Sequence, residues 1–174
     1  IVRTDAPMTA EVCETTIHQL SRAYPFLKTE ILTTTAFGRP LYAVKIGEGD
    51  RDVIFTAAHH ANEWITATLL LKFLEELSEA FQTGGKVYGV PAKTILRYCT
   101  IHLVPMVDPD GVDLVTGAIR PQTPEYNIAR QIAGDFPDIP FPDGWKANLL
   151  GVDLNLQYPA GWLQARGIKF SQGF

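Results

Sequence analysis

Long apolar runs are missing from this sequence. No run approaches the roughly 20 residues a membrane span needs, and Leu69-Leu70-Leu71 is only a local cluster. Basic residues are also outnumbered: the net charge is −4 and the pI near 5.5, which leaves nucleic acid and anionic membrane surfaces without an electrostatic footprint. Cysteine is scarce. Cys13 and Cys99 fit buried thiols better than a disulfide framework, and they leave the redox compartment open. No signal-peptide pattern is visible, and a start at Ile1 rather than Met predicts a processed or trimmed product. What is present is 46% hydrophobic and 20% charged over 174 residues, enough for one globular domain (1–174) with a real core, preceded by an extended lead-in over 1–7.

The stretch with most chemical content runs from Val53 to Ile65. Val53 to Ala58 is a short apolar, partly β-branched run suited to a buried strand. From Trp64 the spacing turns helical through Ala67, Leu70, Leu71, Leu74, Leu77 and Phe81. His59, His60 and Glu63 therefore sit where a strand hands over to a helix, the end of an open α/β sheet at which ligands bind. An imidazole and a carboxylate spaced His60-x-x-Glu63 can converge on one divalent ion, and both suit zinc. Catalytic zinc takes three protein ligands, so this turn offers two of them. His59 with Glu63 is a competing pair, but adjacent side chains on extended backbone point to opposite faces, so both histidines are not expected to ligate. Taken alone, the pattern also reads as an ordinary helix start, with Glu63 complementing the macrodipole.

The rest of the chain reads in order. Thr9 to Tyr24 is helical, with Thr9 as N-cap and Pro25 as stop. Glu30–Phe37 and Leu41–Ile46 read as a hairpin about Gly38-Arg39-Pro40. After the helix ending near Phe81 come a Gly-rich loop, a short helix over Ala92–Arg97 and an apolar strand from Cys99 to Val107. Its lone His102 reads as a core or edge histidine. Asp108-Pro109-Asp110-Gly111 reads as a turn. Residues 116–146 form a long Pro- and Gly-rich excursion in which only Glu125–Ala133 is helical; it is expected to face substrate. Gly151–Tyr158 reads as a short strand whose Asp153 and Asn155 face one way, with a local side-chain cap as the plainer alternative. These elements predict an α/β fold with a mixed, mostly parallel sheet flanked by helices on both faces.

Three ordered segments resemble the zinc metallocarboxypeptidase family: His60-Ala61-Asn62-Glu63-Trp64-Ile65, Val107-Asp108-Pro109-Asp110-Gly111-Val112 and Gly151-Val152-Asp153-Leu154-Asn155. The likeness extends to the bacterial branch that cleaves γ-D-glutamyl-meso-diaminopimelate bonds in cell-wall peptides. The resemblance implies a zinc-exopeptidase-like fold, zinc as cofactor, His60 and Glu63 as metal ligands, Asn155 as a substrate-binding residue and the Asp108–Gly111 segment as scaffold. Lys146 stands where the family has an arginine that polarises the scissile carbonyl. As a point charge it could stabilise an oxyanion, or it is a solvated loop charge.

The chain also departs from the family. Leu156 and Asn62 occupy positions where terminal-residue carboxypeptidases carry arginines, and neither can pair with a C-terminal carboxylate as a guanidinium does. Both changes, and the phrase from Asn155 to Trp162, resemble the wall-peptide branch, in which Asn62 and Leu156 would face substrate. Between Asn155 and Phe174 there is neither His nor Glu. The third zinc ligand and the general-base glutamate are therefore expected downstream, the chain being the N-terminal part of the catalytic domain and inactive by itself. Two alternatives stay open: an ordinary zinc carboxypeptidase, and a non-catalytic fragment that binds wall peptide or a partner. The expected partner is a peptidoglycan peptide or muropeptide, and the cell envelope is favoured over the cytoplasm. An incomplete domain would expose a sheet edge or core face, which predicts self-association or pairing with the missing half.

Overall fold

The fold is described from a computed structural model, in which residues 1–172 are considered. Helix α1 (Ala10–Ala23) starts where Thr9 accepts a hydrogen bond from the Val12 amide, and it buries Cys13, Thr16, Ile17 and Leu20. Strands β1 (Lys28–Thr34) and β2 (Pro40–Ile46) form the expected antiparallel hairpin. Strand β3 (Arg51–Thr56) leads through a 3-10 turn (Ala61–Glu63) into helix α2 (Ile65–Thr83). Gly84, at φ 76°, closes that helix in the left-handed region that glycine enters without a Cβ clash. A two-strand ribbon (β4, Lys86–Val87; β5, Val90–Pro91) and helix α3 (Ala92–Tyr98) then deliver strand β6 (Cys99–Val104).

The four-stranded sheet has the order β1-β2-β6-β3 and is mixed. β1 with β2 and β2 with β6 are antiparallel, and β3 with β6 is parallel. The register sets Val53 beside Ile101 and Phe55 beside Leu103, so these side chains share one face. Val44, Ile46, Ile101 and Leu103 meet Ile17, Leu20, Leu71, Leu74 and Leu96 there in a single core, with α1, α2 and α3 all contributing. The other face is more polar. His102 and Asp52 bond at 2.7 Å, which accounts for His102 without a metal, and Ile54 beside them is 67% exposed. Cys13 lies in the core, where burial pushes its thiol up to about 12 and makes it inert, and neither cysteine is in a disulfide.

Asp108-Pro109-Asp110-Gly111 opens a helix, α4 (Pro109–Val115), where a turn was expected. Asp108 is the N-cap, its Oδ1 accepting from the Gly111 amide at 3.0 Å, and Pro109 stands in the first turn, where its missing N–H costs nothing. Gly111 is required for close approach. A methyl on it would lie 2.3 Å from Asp108 Oδ2, 2.6 Å from the Ala147 carbonyl and 2.8 Å from Ala61 Cβ. Arg39, in the hairpin turn, fastens β1–β2 to this helix by donating to Asp113 (2.7 Å) and Asp110 (2.8 Å).

Helix α5 (Pro124–Ala133) falls within a residue of its expected place, and the excursion around it has its own small core of Leu114, Ile119, Tyr126, Trp145 and Leu149. Two further elements differ from expectation. Gly151–Tyr158 contains a 3-10 turn (Leu154–Leu156) in place of a strand, and helix α6 (Trp162–Ser171) has no counterpart in the sequence reading. No residue of α6 is buried, so no core-facing stripe betrayed it.

Candidate metal centre

The loop beyond β3 is stitched to the loop beyond β6. The amides of Val107 and Asp108 donate to the carbonyls of Ala57 and Ala58, each at 3.0 Å. Ala58 has φ 49°, a left-handed conformation unusual for a residue with a Cβ. It is held there by the Thr66 hydroxyl, which accepts from the Ala58 amide (2.9 Å) and donates to the Glu63 carbonyl (2.7 Å). The sharp reversal brings His60 and Glu63 to the rim of the sheet. The Ala61 amide reaches the Lys146 carbonyl at 3.3 Å, so the turn, α4 and residues 146–147 form one platform around Gly111.

On that platform His60 Nδ1 lies 3.0 Å from Glu63 Oε1, and the other ring nitrogen, Nε2, lies 3.4 Å from Asp153 Oδ1. Nδ1 and the Glu63 carboxylate therefore meet in a direct hydrogen bond, while Asp153 flanks the imidazole from behind. A metal-binding histidine turns one nitrogen to the ion and the other toward a carboxylate that fixes tautomer and ring orientation; here Nδ1, paired with Glu63, is the nitrogen that would ligate. The donor set fits zinc as two of three protein ligands. Among the described residues no group of three or more His, Cys, Asp or Glu side chains is arranged to hold a metal.

His59 turns the other way, as alternation on extended backbone requires, and bonds the Tyr158 hydroxyl at 2.7 Å. Burial, with neighbouring His60 adding repulsion, holds the His59 imidazole below the ordinary histidine value. Lys146 Nζ approaches Glu63 Oε1 at 3.7 Å with its side chain 57% exposed, so its charge reaches the pair but stays largely screened. Asn62 Oδ1 is buried without a hydrogen-bond partner in the same turn. Asn155 is exposed; its amide donates to Asp153 Oδ1 at 3.0 Å, so Asp153 caps the 3-10 turn. Leu156 is exposed beside it. Asp153 and Asn155 do not project side by side from a strand, as the alternation had predicted. The sequence reading missed the part Asp153 plays toward His60; a polar residue on the third segment was visible, its target was not. Beside Lys146 and Asp153 opens an apolar cavity of about 450 Å³ walled by Ile132, Phe136, Ile139 and Phe141.

Residues 13–173 match the family described as zinc carboxypeptidase. The chain is 37% identical over 146 residues to gamma-D-glutamyl-L-diamino acid endopeptidase 1 of Lysinibacillus sphaericus, covering 84% of this chain and 36% of that protein. It is 33% identical over 157 residues to the uncharacterized protein YqgT of Bacillus subtilis, covering 86% and 39%. The chain thus spans well under half the length of these relatives. Among solved structures, a metallo-carboxypeptidase from Burkholderia cenocepacia superposes with a TM-score of 0.57 at 19% identity, covering 95% of this chain and 38% of that one. Thrombin activatable fibrinolysis inhibitor superposes at 0.60 and 16% identity, covering 82% and 30%. At such identities these two establish the fold alone.

Proposed function

Since this chain belongs to the zinc carboxypeptidase family, we propose that it carries the metal-binding turn of a peptidase hydrolysing the γ-D-glutamyl-meso-diaminopimelate bond of bacterial wall peptides. The observation that carries the reading is the convergence of His60 Nδ1 and Glu63 Oε1 at 3.0 Å with Asp153 behind the ring. Bound zinc would supply a Lewis acid and a water acidified toward neutrality. His60 and Glu63 would hold it, and Asp153 would fix the tautomer and orientation of the imidazole. Lys146 would meet negative charge developing on the scissile carbonyl oxygen, as a point charge without the guanidinium fork. Asn155 would orient the peptide. The third ligand and the general base would come from residues outside this chain, so the isolated chain is expected to be inactive.

The choice of bond rests on what is missing near the metal pair. Leu156 and Asn62 present no cation that could clamp a free C-terminal carboxylate, which favours an internal amide over a terminal residue. The relative named as a γ-D-glutamyl-L-diamino acid endopeptidase supports the same branch. To test it, the longer protein is incubated with L-Ala-γ-D-Glu-meso-diaminopimelyl-D-Ala, in which the γ-D-glutamyl bond is internal, and, separately, with an ordinary peptide. Release of meso-diaminopimelyl-D-Ala with the second peptide intact is expected. Removal of only the last residue of the ordinary peptide would point to a carboxypeptidase. Chelator-insensitive muropeptide binding without cleavage would point to a binding module.

The sheet edge bears on partners. Among the described residues β3 is hydrogen-bonded on one side only, and Ile54 and Phe55 on it are exposed. An unpaired apolar edge is a template for another strand. We expect it to pair with the remainder of the protein, and the isolated chain to self-associate through it at micromolar concentration. Sedimentation velocity should show dimers or larger species, reduced by Ile54→Lys; a monomeric isolated chain would count against this.

A further inference from the structure

We infer that the His59–Tyr158 pair is a clamp that fixes residues 153–158 over the metal-binding turn, so that both act as positioning residues for Asn155 and Leu156. The two histidines leave the strand end in opposite directions, His60 being extended at φ −102° and ψ 134°. Each takes hold of the third segment at a different point. His60 Nε2 lies 3.4 Å from Asp153 Oδ1, and His59 Nε2 bonds the Tyr158 hydroxyl at 2.7 Å with the rings 5.7 Å apart. The 3-10 turn carrying Asn155 and Leu156 is strung between these ties.

Little else holds it. No residue of that turn is buried, and its other bonds are local and exposed: the Leu156 amide and the Gln157 side chain to the Asp153 carbonyl (both 3.2 Å), the Gln157 amide to the Leu154 carbonyl (3.1 Å), the Asn155 amide to Asp153 Oδ1 (3.0 Å) and the Trp162 indole to Gln157 Oε1 (3.3 Å). Apart from half-buried Leu154 the turn is exposed, and such a segment opens at little cost, so a long-range side-chain bond at its end has a disproportionate influence on where it sits. The phenol–imidazole pair spans 99 residues of sequence and joins the turn that binds metal to the turn that faces substrate. The consequence for substrate selection rests on the peptidase function proposed above; the clamp itself does not.

Two measurements separate these claims. In this chain, Tyr158→Phe should accelerate amide exchange at Leu156 and Gln157 by about fivefold, the loss of one ordinary hydrogen bond, and leave Leu103 in β6 unchanged. In the longer protein, Tyr158→Phe should raise KM for the wall tetrapeptide about fivefold while kcat changes by less than about twofold. Zinc content should not change, and His59→Gln, which can still bond the phenol, should stay near the parent KM. Unaltered exchange at 156–157 overturns the clamp. Faster exchange with an unaltered KM overturns the positioning role. If the longer protein cleaves no wall peptide, the function proposed above fails while the exchange result still decides the clamp.

Discussion

His60→Ala in the longer protein is expected to strip the zinc and, with it, the peptidase activity. A closed four-ligand site is worth roughly 10–16 kcal/mol, so one ligand accounts for about 3 kcal/mol, more than a hundredfold in affinity. The structure adds a graded series that a simple loss of activity would not give. Asp153→Asn keeps an acceptor near His60 Nε2 but removes its charge, and should weaken zinc binding by about 10- to 100-fold, as is usual for the carboxylate behind a metal-binding histidine. His59→Phe should leave the metal in place, because His59 is turned toward Tyr158. Zinc per protein, measured after dialysis against a weak chelator, should therefore fall in the order parent, Asp153→Asn, His60→Ala, with His59→Phe level with the parent. A His60→Ala protein that keeps stoichiometric zinc would remove the metal centre as read here. Loss of zinc in His59→Phe would mean that the competing histidine is the ligand.

The second large effect lies beneath that site. Asp108 is 1% exposed, its Oδ1 caps α4, and its Oδ2 is buried with no hydrogen-bond partner. Burial, with Asp110 adding repulsion, pushes this carboxyl up to about 8, although the Gly111 amide pulls the other way. Below the unfolded value of about 4, both folded and unfolded chains hold the proton and nothing is lost. Between about 4 and 8 the unfolded chain ionises while the folded chain stays protonated, so stability declines by about 1.4 kcal/mol per pH unit, levelling off above the folded value. By pH 7 the accumulated loss is about 4 kcal/mol at most. Asp108→Asn retains the capping oxygen and cannot ionise, so its stability relative to the parent should improve steadily across that window. The new amide N–H is as unpartnered as the carboxylic O–H it replaces, so the slope with pH is the diagnostic quantity. Urea unfolding at several pH values between 4.5 and 8 measures it, and a difference that is constant across the series would contradict a buried, neutral Asp108. A decline of this kind bears on the site because Gly111, in the helix that Asp108 caps, packs against Ala147 and against Ala61 of the His60–Glu63 turn.

Much of this was legible in the sequence where the signal is local. The Thr9 cap, the β1–β2 hairpin, the passage from β3 into α2 and the spacing of His60 and Glu63 each depend on neighbours a few residues apart, and each lies where periodicity and turn chemistry put it. Readings went astray where two structures share one local pattern. An alternation over Val152–Asn155 suits a strand or a 3-10 turn equally, and the choice fell to the turn because Asp153 caps it and, among the described residues, no strand lies alongside. Asp108-Pro109 can begin either a turn or a helix, and Gly111 in the first turn argued for the former. The helix forms because Gly111 is pressed against Ala61 and Ala147, contacts distant in sequence.

The sequence by itself determined which residues could bind a metal, since imidazole and carboxylate three apart at a strand end are a property of local chain geometry. It also determined that no guanidinium follows Asn155. Only the tertiary structure decided which histidine does what. Asp153 and Tyr158 arrive from more than 90 residues away and take one ring each, because alternation had already sent the two rings to opposite sides.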